Sequence, residues 1–192
     1  MTFLILGLII FLGVHSIRIV ADDWRSTQLS RYGEMPWKAG YSIISIIGFI
    51  LIIWGFGLAR LEPIILWTPP AGMLHLTALL VLIALILIAA AYVPRNGIKA
   101  RLHHPMMLGI VLWALGHLLA NGTLADVILF GCFLVWGIFS FRAAHQRDQI
   151  SGTSYPAGTL SRTLITLVAG LIVWAAFAFW LHTTLIGVPL FM

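Results

Sequence analysis

Long apolar runs separated by short polar segments dominate the chain. A helix needs about 20 residues to cross the hydrocarbon core of a bilayer. Six runs come close to that length, and they cover residues 2–20, 40–59, 71–93, 105–121, 124–142 and 163–187. The pattern predicts an all-α fold, a polytopic membrane helical bundle of about six transmembrane helices that forms a single domain over residues 1–192.

The composition excludes two broad classes of protein. Hydrophobic residues make up 61% of the 192 residues and charged residues only 9%, whereas a typical soluble domain is about 45–50% apolar and about 25% charged. A soluble globular domain and a disordered chain are therefore both excluded. The first apolar run has no basic residue ahead of it and no small-x-small cleavage pattern, so we expect a retained span. The single cysteine, Cys132, excludes an intrachain disulfide.

The basic residues are distributed unevenly between the two ends of the predicted helices. Ten of the eleven fall in or beside the first, third and fifth loops, namely Arg18, Arg25, Arg31, Lys38, Arg95, Lys99, Arg101, Arg142, Arg147 and Arg162. Only Arg60 lies on the other side. The positive-inside rule predicts that these three loops face the cytoplasm and that both termini lie outside. The net charge of +5 then reflects topology, and we expect no nucleic-acid partner.

Short sequence patterns predict where two of the helices begin and where two helices pack closely. Pro105 suits the first turn of the fourth span, where its missing N–H costs nothing. Thr123 and Asp126 have the spacing of a capping box at the start of the fifth span. Gly48 and Gly55 are seven residues apart, which favours close helix packing inside the monomer.

Histidines within the spans are candidate functional residues, because polar groups at membrane depth are costly. His15 and His117 each lie several residues inside a span. His75 and His182 fall near outer span ends, where an interfacial position is the simpler interpretation. His104 follows His103 at the inner mouth of the fourth span.

Two patterns surround the deep histidines. His15, Arg18 and Asp22 have the spacing of one helix face, and a guanidinium beneath a deep imidazole suits an anionic group with an apolar body. Alternatively, Arg18 only anchors the helix at the headgroups. In the second pattern, His104 precedes His117 by thirteen residues, which is about 20 Å along a helix. These two histidines therefore cannot ligate one small metal ion.

The remaining chemistry is limited by the residues available. The sequence has no HExxH motif, cysteine pair, carboxylate cluster or glycine-rich phosphate loop, so zinc, di-iron and nucleotide chemistry have no ligands. Haem b fits better, because it needs one or two axial imidazoles and an apolar cavity between helices. A quinone or a carotenoid-like polyene would need the same cavity and fewer ligands.

Several motifs resemble the NnrU family of integral membrane proteins. They are Gly13-Val-His15-Ser16, Arg95-Asn-Gly97-Ile-Lys-Ala-Arg101, His104-Pro105-Met-Met-Leu-Gly109, Trp113-Ala-Leu-Gly116-His117 and Asn121-Gly122. The resemblance extends from about residue 3 to residue 142. It implies a multi-pass protein of the bacterial inner membrane that is linked to nitric oxide and nitrite metabolism in denitrification.

The family is also similar to plant 15-cis-zeta-carotene isomerase, a membrane enzyme with haem b. The resemblance implies that His15 and His117 are axial ligands of a haem iron. His75 is expected at a membrane depth closer to that of His117, which makes it the spare candidate. Arg18, Arg101 and His104 are then candidates for further contacts with the cofactor. A cysteine implicated in redox-dependent ligand change in that enzyme corresponds to Ala114 here.

Three hypotheses follow for the function. In the first, the protein binds haem b and acts in nitrogen-oxide physiology. In the second, it is a haem-dependent cis–trans isomerase of a polyene. In the third, it is a non-catalytic scaffold or assembly partner of a respiratory complex, and its histidines only form hydrogen bonds.

Overall fold

A computed structural model describes residues 1–188 of the chain, and these residues are mostly helical. The helices are α1 (Thr2–Val20), α2 (Asp22–Tyr32), α3 (Glu34–Ala59), α4 (Met73–Tyr92), α5 (Gly97–Leu102), α6 (Pro105–Ala120), α7 (Leu124–Ser151), α8 (Leu160–Ala176) and α9 (His182–Ile186), with a π-helical turn at Phe177–Leu181. Residues 1–188 contain no β-strand beyond isolated bridges. The predicted all-α fold is confirmed.

Most of the long helices can cross a membrane. Five segments are long and apolar enough, namely α1, α3, α4, α7 and the continuous segment Leu160–Ile186. The apolar helix α6 has 16 residues, which corresponds to a length of about 24 Å. The expected number of about six spans is therefore confirmed, and the chain is a multi-pass membrane protein.

The long helices pack in an order that differs from their order in the sequence. Helix α1 packs against α3 and α7, α7 against α6, α6 against α4, and α4 against α8. Glycines allow the closest of these contacts. A Cβ on Gly7 would lie 2.6 Å from the backbone nitrogen of Ile52, and a Cβ on Gly48 would lie 2.7 Å from that of Phe11. The expected packing role of Gly48 inside the monomer is therefore confirmed.

The predicted boundary signals also form. The Thr123 hydroxyl accepts a hydrogen bond from the backbone N–H of Asp126 at 3.3 Å, and Asp126 accepts one from the backbone N–H of Thr123 at 3.1 Å. Pro105 occupies the first turn of α6 and is buried. The hairpin formed by α6 and α7 therefore begins and turns where its sequence indicates.

Two helix ends lie outside the predicted spans. Helix α7 continues to Ser151 and ends at Gly152, whose φ of 62° is left-handed. Helix α3 begins at Glu34, and the first loop contains the additional helix α2. Nothing in residues 143–151 breaks a helix, because neither glycine nor proline occurs there. The polar end of α7 consequently extends beyond the apolar run and carries charged side chains, among them Arg147 and Asp148, with it.

Candidate ligand-binding cavity

His15 on α1 has a fixed orientation and one free ring nitrogen. Its Nδ1 lies 2.6 Å from the backbone carbonyl oxygen of Phe11. A carbonyl can only accept, so Nδ1 carries the proton and Nε2 keeps its lone pair. Among residues 1–188, Nε2 has no hydrogen-bond partner. The ring packs 4.1 Å from that of Phe11 and 5.1 Å from that of Tyr41, measured between centroids.

A cavity of about 1470 Å³ extends from His15 to the end of the bundle formed by the first, third and fifth loops. We call this end the basic face. Aromatic and aliphatic side chains form much of the wall, including Phe11, Phe133, Trp136 and Ile110. The volume exceeds the roughly 300–1,000 Å³ of typical small-molecule pockets. The cavity can therefore contain a large, mostly apolar ligand.

Positive charges surround the opening of the cavity. We call this set the basic rim, and it consists of Arg18, Arg25, Lys38, Lys99 and Arg147. The carboxylates that line the same cavity are Glu34 and Asp148, so cations outnumber acids there. Cavities lined by one sign of charge concentrate ligands of the opposite sign. The basic rim favours a ligand that carries negative charge.

The arginines of the rim are brought together by contacts between α1, α2 and α7. Arg147 donates from Nη1 to the backbone carbonyl oxygen of Arg18 at 2.9 Å. Asp22 lies 3.9 Å from Arg18 and 3.8 Å from Arg25. The predicted pairing of Arg18 with Asp22 is thus present, although α1 ends at Val20 and Asp22 begins a new helix. Two guanidinium groups therefore share one loosely held carboxylate, and Arg147 is joined to them through the backbone of Arg18.

A hydrogen-bond network joins three elements at the same opening. His104 Nε2 lies 2.8 Å from Asp148 Oδ2, and the Tyr155 hydroxyl donates to the same oxygen at 2.7 Å. The Tyr155 ring stacks on His103 with a centroid separation of 4.3 Å. Burial, and then the hydrogen bond to Asp148 and its charge, raise the pKa of Tyr155 to about 12. Tyr155 therefore remains a hydrogen-bond donor at neutral pH.

His117 on α6 has the same local geometry but different surroundings. Its Nδ1 donates to the backbone carbonyl oxygen of Trp113 at 2.8 Å, which leaves Nε2 as the acceptor. Its ring stacks on Phe130 at 4.6 Å and packs 5.2 Å from Trp113. His117 is not among the residues that line the cavity. This half-buried imidazole packs against two aromatic rings, and we call its surroundings the enclosed region.

The structure does not bring His15 and His117 together. A series of ring contacts links them, from His15 to Phe11, then to Phe133 at 5.9 Å, to Trp113 at 5.5 Å, and finally to His117. Two axial nitrogens must face one iron atom, so a shared haem would require these rings to separate. The pairing of the two histidines remains a prediction.

The other candidate residues divide between the cavity and the rest of the molecule. Arg18 and His104 line the cavity together with His15. Arg101 lies on α5 beside a separate cavity of about 500 Å³. His75 is exposed in the first turn of α4. Among residues 1–188, no group of three or more histidine, cysteine or acidic side chains could hold a metal ion.

One face of α7 contributes cavity residues that the sequence did not single out. They are Trp136, Ser140, Ala144, Arg147 and Asp148. The first three are four residues apart, which is the spacing of one helix face. The apolar run ends at 142, so the last three are predicted to lie in a loop. An uninterrupted stretch of helix-forming residues up to Gly152 is the signal that could have identified them.

Comparison with known families supports the interpretation as a membrane protein. The sequence model of the NnrU family, described as NnrU protein, matches residues 3–190. That match continues beyond residue 142, where the motif resemblance ended. No curated protein and no solved structure is significantly similar to the chain. With nearly its whole length matched, the chain belongs to the NnrU family.

Proposed function

We propose that this NnrU-like membrane protein binds haem b in the cavity, with His15 Nε2 as an axial ligand of the iron. One observation carries the proposal: the His15 imidazole is anchored through Nδ1 and directs no hydrogen bond from Nε2, while its ring lines the cavity. Haem-ligating histidines are commonly oriented by a hydrogen bond from the other ring nitrogen. These residues fit the cofactor.

The basic rim suits the two propionate groups of haem b. Arg18, Arg25 and Arg147 lie near one another at the opening, and arginine pairs well with carboxylates. The aromatic wall formed by Phe11, Phe133 and Trp136 suits the porphyrin. The porphyrin of haem b would then point towards the membrane interior, and its propionates would point towards the basic face.

Bound haem b would supply an iron that binds a diatomic gas or changes its oxidation state. The residues of this chain would orient the cofactor and compensate its negative charge. We place this haem chemistry in the nitric oxide and nitrite metabolism of denitrification. The protein would lie in the bacterial inner membrane, with the basic face towards the cytoplasm. The family and the distribution of basic residues support that setting.

Absorption spectra of the purified protein in mild detergent, oxidised and reduced, test the proposal. Haem should be supplied during expression, and the expected result is a Soret band that shifts on reduction. His15→Ala should abolish or strongly weaken this band. If a fully supplied wild-type protein shows no Soret band, the haem proposal is wrong and the scaffold hypothesis is favoured. If the band is unchanged in His15→Ala, the ligand is another residue.

The polyene-isomerase alternative receives no specific support from the geometry. Ala114 has 0% exposure in a hydrophobic cluster with Leu4 and Phe130, and its methyl group cannot ligate. A quinone or polyene remains compatible with the apolar part of the cavity. Displacement of haem by either ligand would be visible in the same spectra.

A further inference from the structure

The loop between α7 and α8 passes along the opening of the cavity. We call residues 153–158 the strap. Its residues Thr153 and Tyr155 line the cavity, and all of its residues except Tyr155 are exposed. The strap is therefore part of the boundary between the cavity and the aqueous phase at the basic face.

Both ends of the strap are fixed to the helical bundle. At one end, α7 stops at Gly152 and the backbone N–H of Thr153 donates to the carbonyl oxygen of Asp148 at 3.0 Å. At the other end, the backbone N–H of Thr159 donates to the carbonyl oxygen of Arg95 at 2.9 Å. Movement of the strap is thus limited to the residues between these two anchors.

Tyr155 holds the middle of the strap. Its hydroxyl donates to Asp148 Oδ2 at 2.7 Å, and its ring lies parallel to that of His103, with an interplanar angle of 2°. The other strap residues after Thr153 form no hydrogen bond to the described part of the chain, and they are Ser154, Pro156, Ala157 and Gly158. Gly158 packs closely against the backbone of Asn96 and Gly97. Loss of the Tyr155 contacts would therefore release the residues from Ser154 to Ala157.

The surface that receives Tyr155 belongs to the cavity as well. His103 and His104 precede α6, and Asp148 lies near the end of α7. His103 has a φ of 60°, which is unusual for a residue other than glycine, and such backbone strain persists only where surrounding contacts support it. The stacked Tyr155 ring supplies one such contact. The strap, the start of α6 and the end of α7 are consequently joined at one point.

We infer that Tyr155 is the latch of a gate, and that opening the strap controls passage between the aqueous phase at the basic face and the cavity. The gate regulates the site described above, so the identity of its ligand rests on the proposed function. An anionic ligand with an apolar body would be attracted by the basic rim and would pass the strap before it reaches His15. The latch itself can be tested without any cofactor.

Ser140 provides a reporter inside the cavity. Its side chain lines the cavity, the residue is only 7% exposed, and its hydroxyl has no hydrogen-bond partner in the described part of the chain. The experiment uses the full-length protein with Cys132→Ser and Ser140→Cys. The rate of labelling by a bulky, anionic, membrane-impermeant thiol reagent is then compared with and without Tyr155→Phe.

We expect Tyr155→Phe to accelerate the labelling of Cys at position 140 on the order of tenfold, because a hydrogen bond to a charged carboxylate is lost. Asp148→Asn weakens the same bond from the other side and should also accelerate labelling. The matched control is Tyr92→Phe, since Tyr92 is 74% exposed and should not alter the rate. Labelling of Ser26→Cys on the exposed surface of α2 corrects for reagent reactivity.

Three results would overturn the latch. The first is an unchanged rate at position 140 in both Tyr155→Phe and Asp148→Asn, with normal labelling at position 26. The second is an equal acceleration by Tyr92→Phe, and the third is a general acceleration that also affects position 26. Circular dichroism and size-exclusion profiles verify that each variant is folded. A protein that fails to bind haem can still show the predicted acceleration, so the two proposals fail independently.

Discussion

The surroundings of His15 and His117 differ although the two residues share the same local structure. Each imidazole lies in an apolar helix and donates from Nδ1 to the carbonyl oxygen four residues earlier. His15 lines a large cavity with a basic rim, whereas His117 is packed against Phe130 and Trp113. A deep histidine therefore becomes a candidate ligand through the space and charge around it, not through its depth alone.

Truncation of an aromatic side chain should have its largest effect in the enclosed region. Phe130 is 6% exposed and belongs to the hydrophobic cluster around Ala114. Phe130→Ala should reduce the free energy of unfolding by about 3–5 kcal/mol, because it removes buried area and leaves a cavity. Trp136→Ala, in the wall of the existing cavity, should cost clearly less. Unfolding in mixed detergent micelles measures the free energy of unfolding of both variants. Equal losses in Phe130→Ala and Trp136→Ala would contradict the distinction between the two regions.

Neutralising the basic rim should weaken the binding of an anionic ligand. Arg147→Gln removes a charge that lies beside Arg18, and we expect about tenfold weaker haem binding, with a smaller dependence on salt concentration. Arg31→Gln serves as the control because Arg31 does not line the cavity. Spectroscopic titration at two ionic strengths provides the measurement. An Arg147→Gln variant with the wild-type affinity would show that the rim does not bind the propionates.

The cap of α7 affects the end of the bundle near His117 and leaves the cavity intact. Thr123→Ala removes the hydroxyl that accepts from the backbone N–H of Asp126. The expected loss is about 1 kcal/mol in the free energy of unfolding, with no change in haem affinity. Thermal unfolding and spectroscopic titration test the two parts separately. A weaker haem affinity would indicate that the two regions are energetically coupled.

Alkaline pH should break the hydrogen bond from Tyr155 to Asp148 at the opening of the cavity. The pKa of Tyr155 is raised in the folded protein to about 12, above the ordinary value of about 10. The protonated Tyr155 hydroxyl therefore contributes fully to the stability of the folded protein below pH 10. This contribution disappears as the pH rises from about 10 to about 12. The difference in tyrosinate absorbance between wild-type protein and Tyr155→Phe reports the titration. A transition near pH 10 would contradict the hydrogen bond to Asp148.

The sequence predicts the bundle well because its signals are local. Apolar length identified the spans, the Thr123 cap and Pro105 marked helix starts, and Gly48 indicated a close helix contact. It also placed Arg18 next to Asp22 despite the break after Val20.

The cavity could not be predicted in the same way, because it is a space between helices. Arg101 belongs to the same basic side as Arg18, yet α5 places it beside another cavity. Asp148 and Tyr155 became partners only because α7 continues beyond the apolar run and the following loop returns to it. The hydropathy pattern indicates which segments cross the membrane but not where α7 ends, nor the arrangement that places His15 at a cavity.

Chemical rescue tests directly whether His15 binds the iron of haem b. His15→Gly and His117→Gly should be purified with haem supplied, and their Soret bands recorded with and without added imidazole. We predict that His15→Gly loses the band and that imidazole restores it, while His117→Gly retains the band without imidazole. Loss and rescue confined to His117→Gly would contradict the assignment of His15, because the cofactor would then be bound where His117 packs against Phe130 and Trp113.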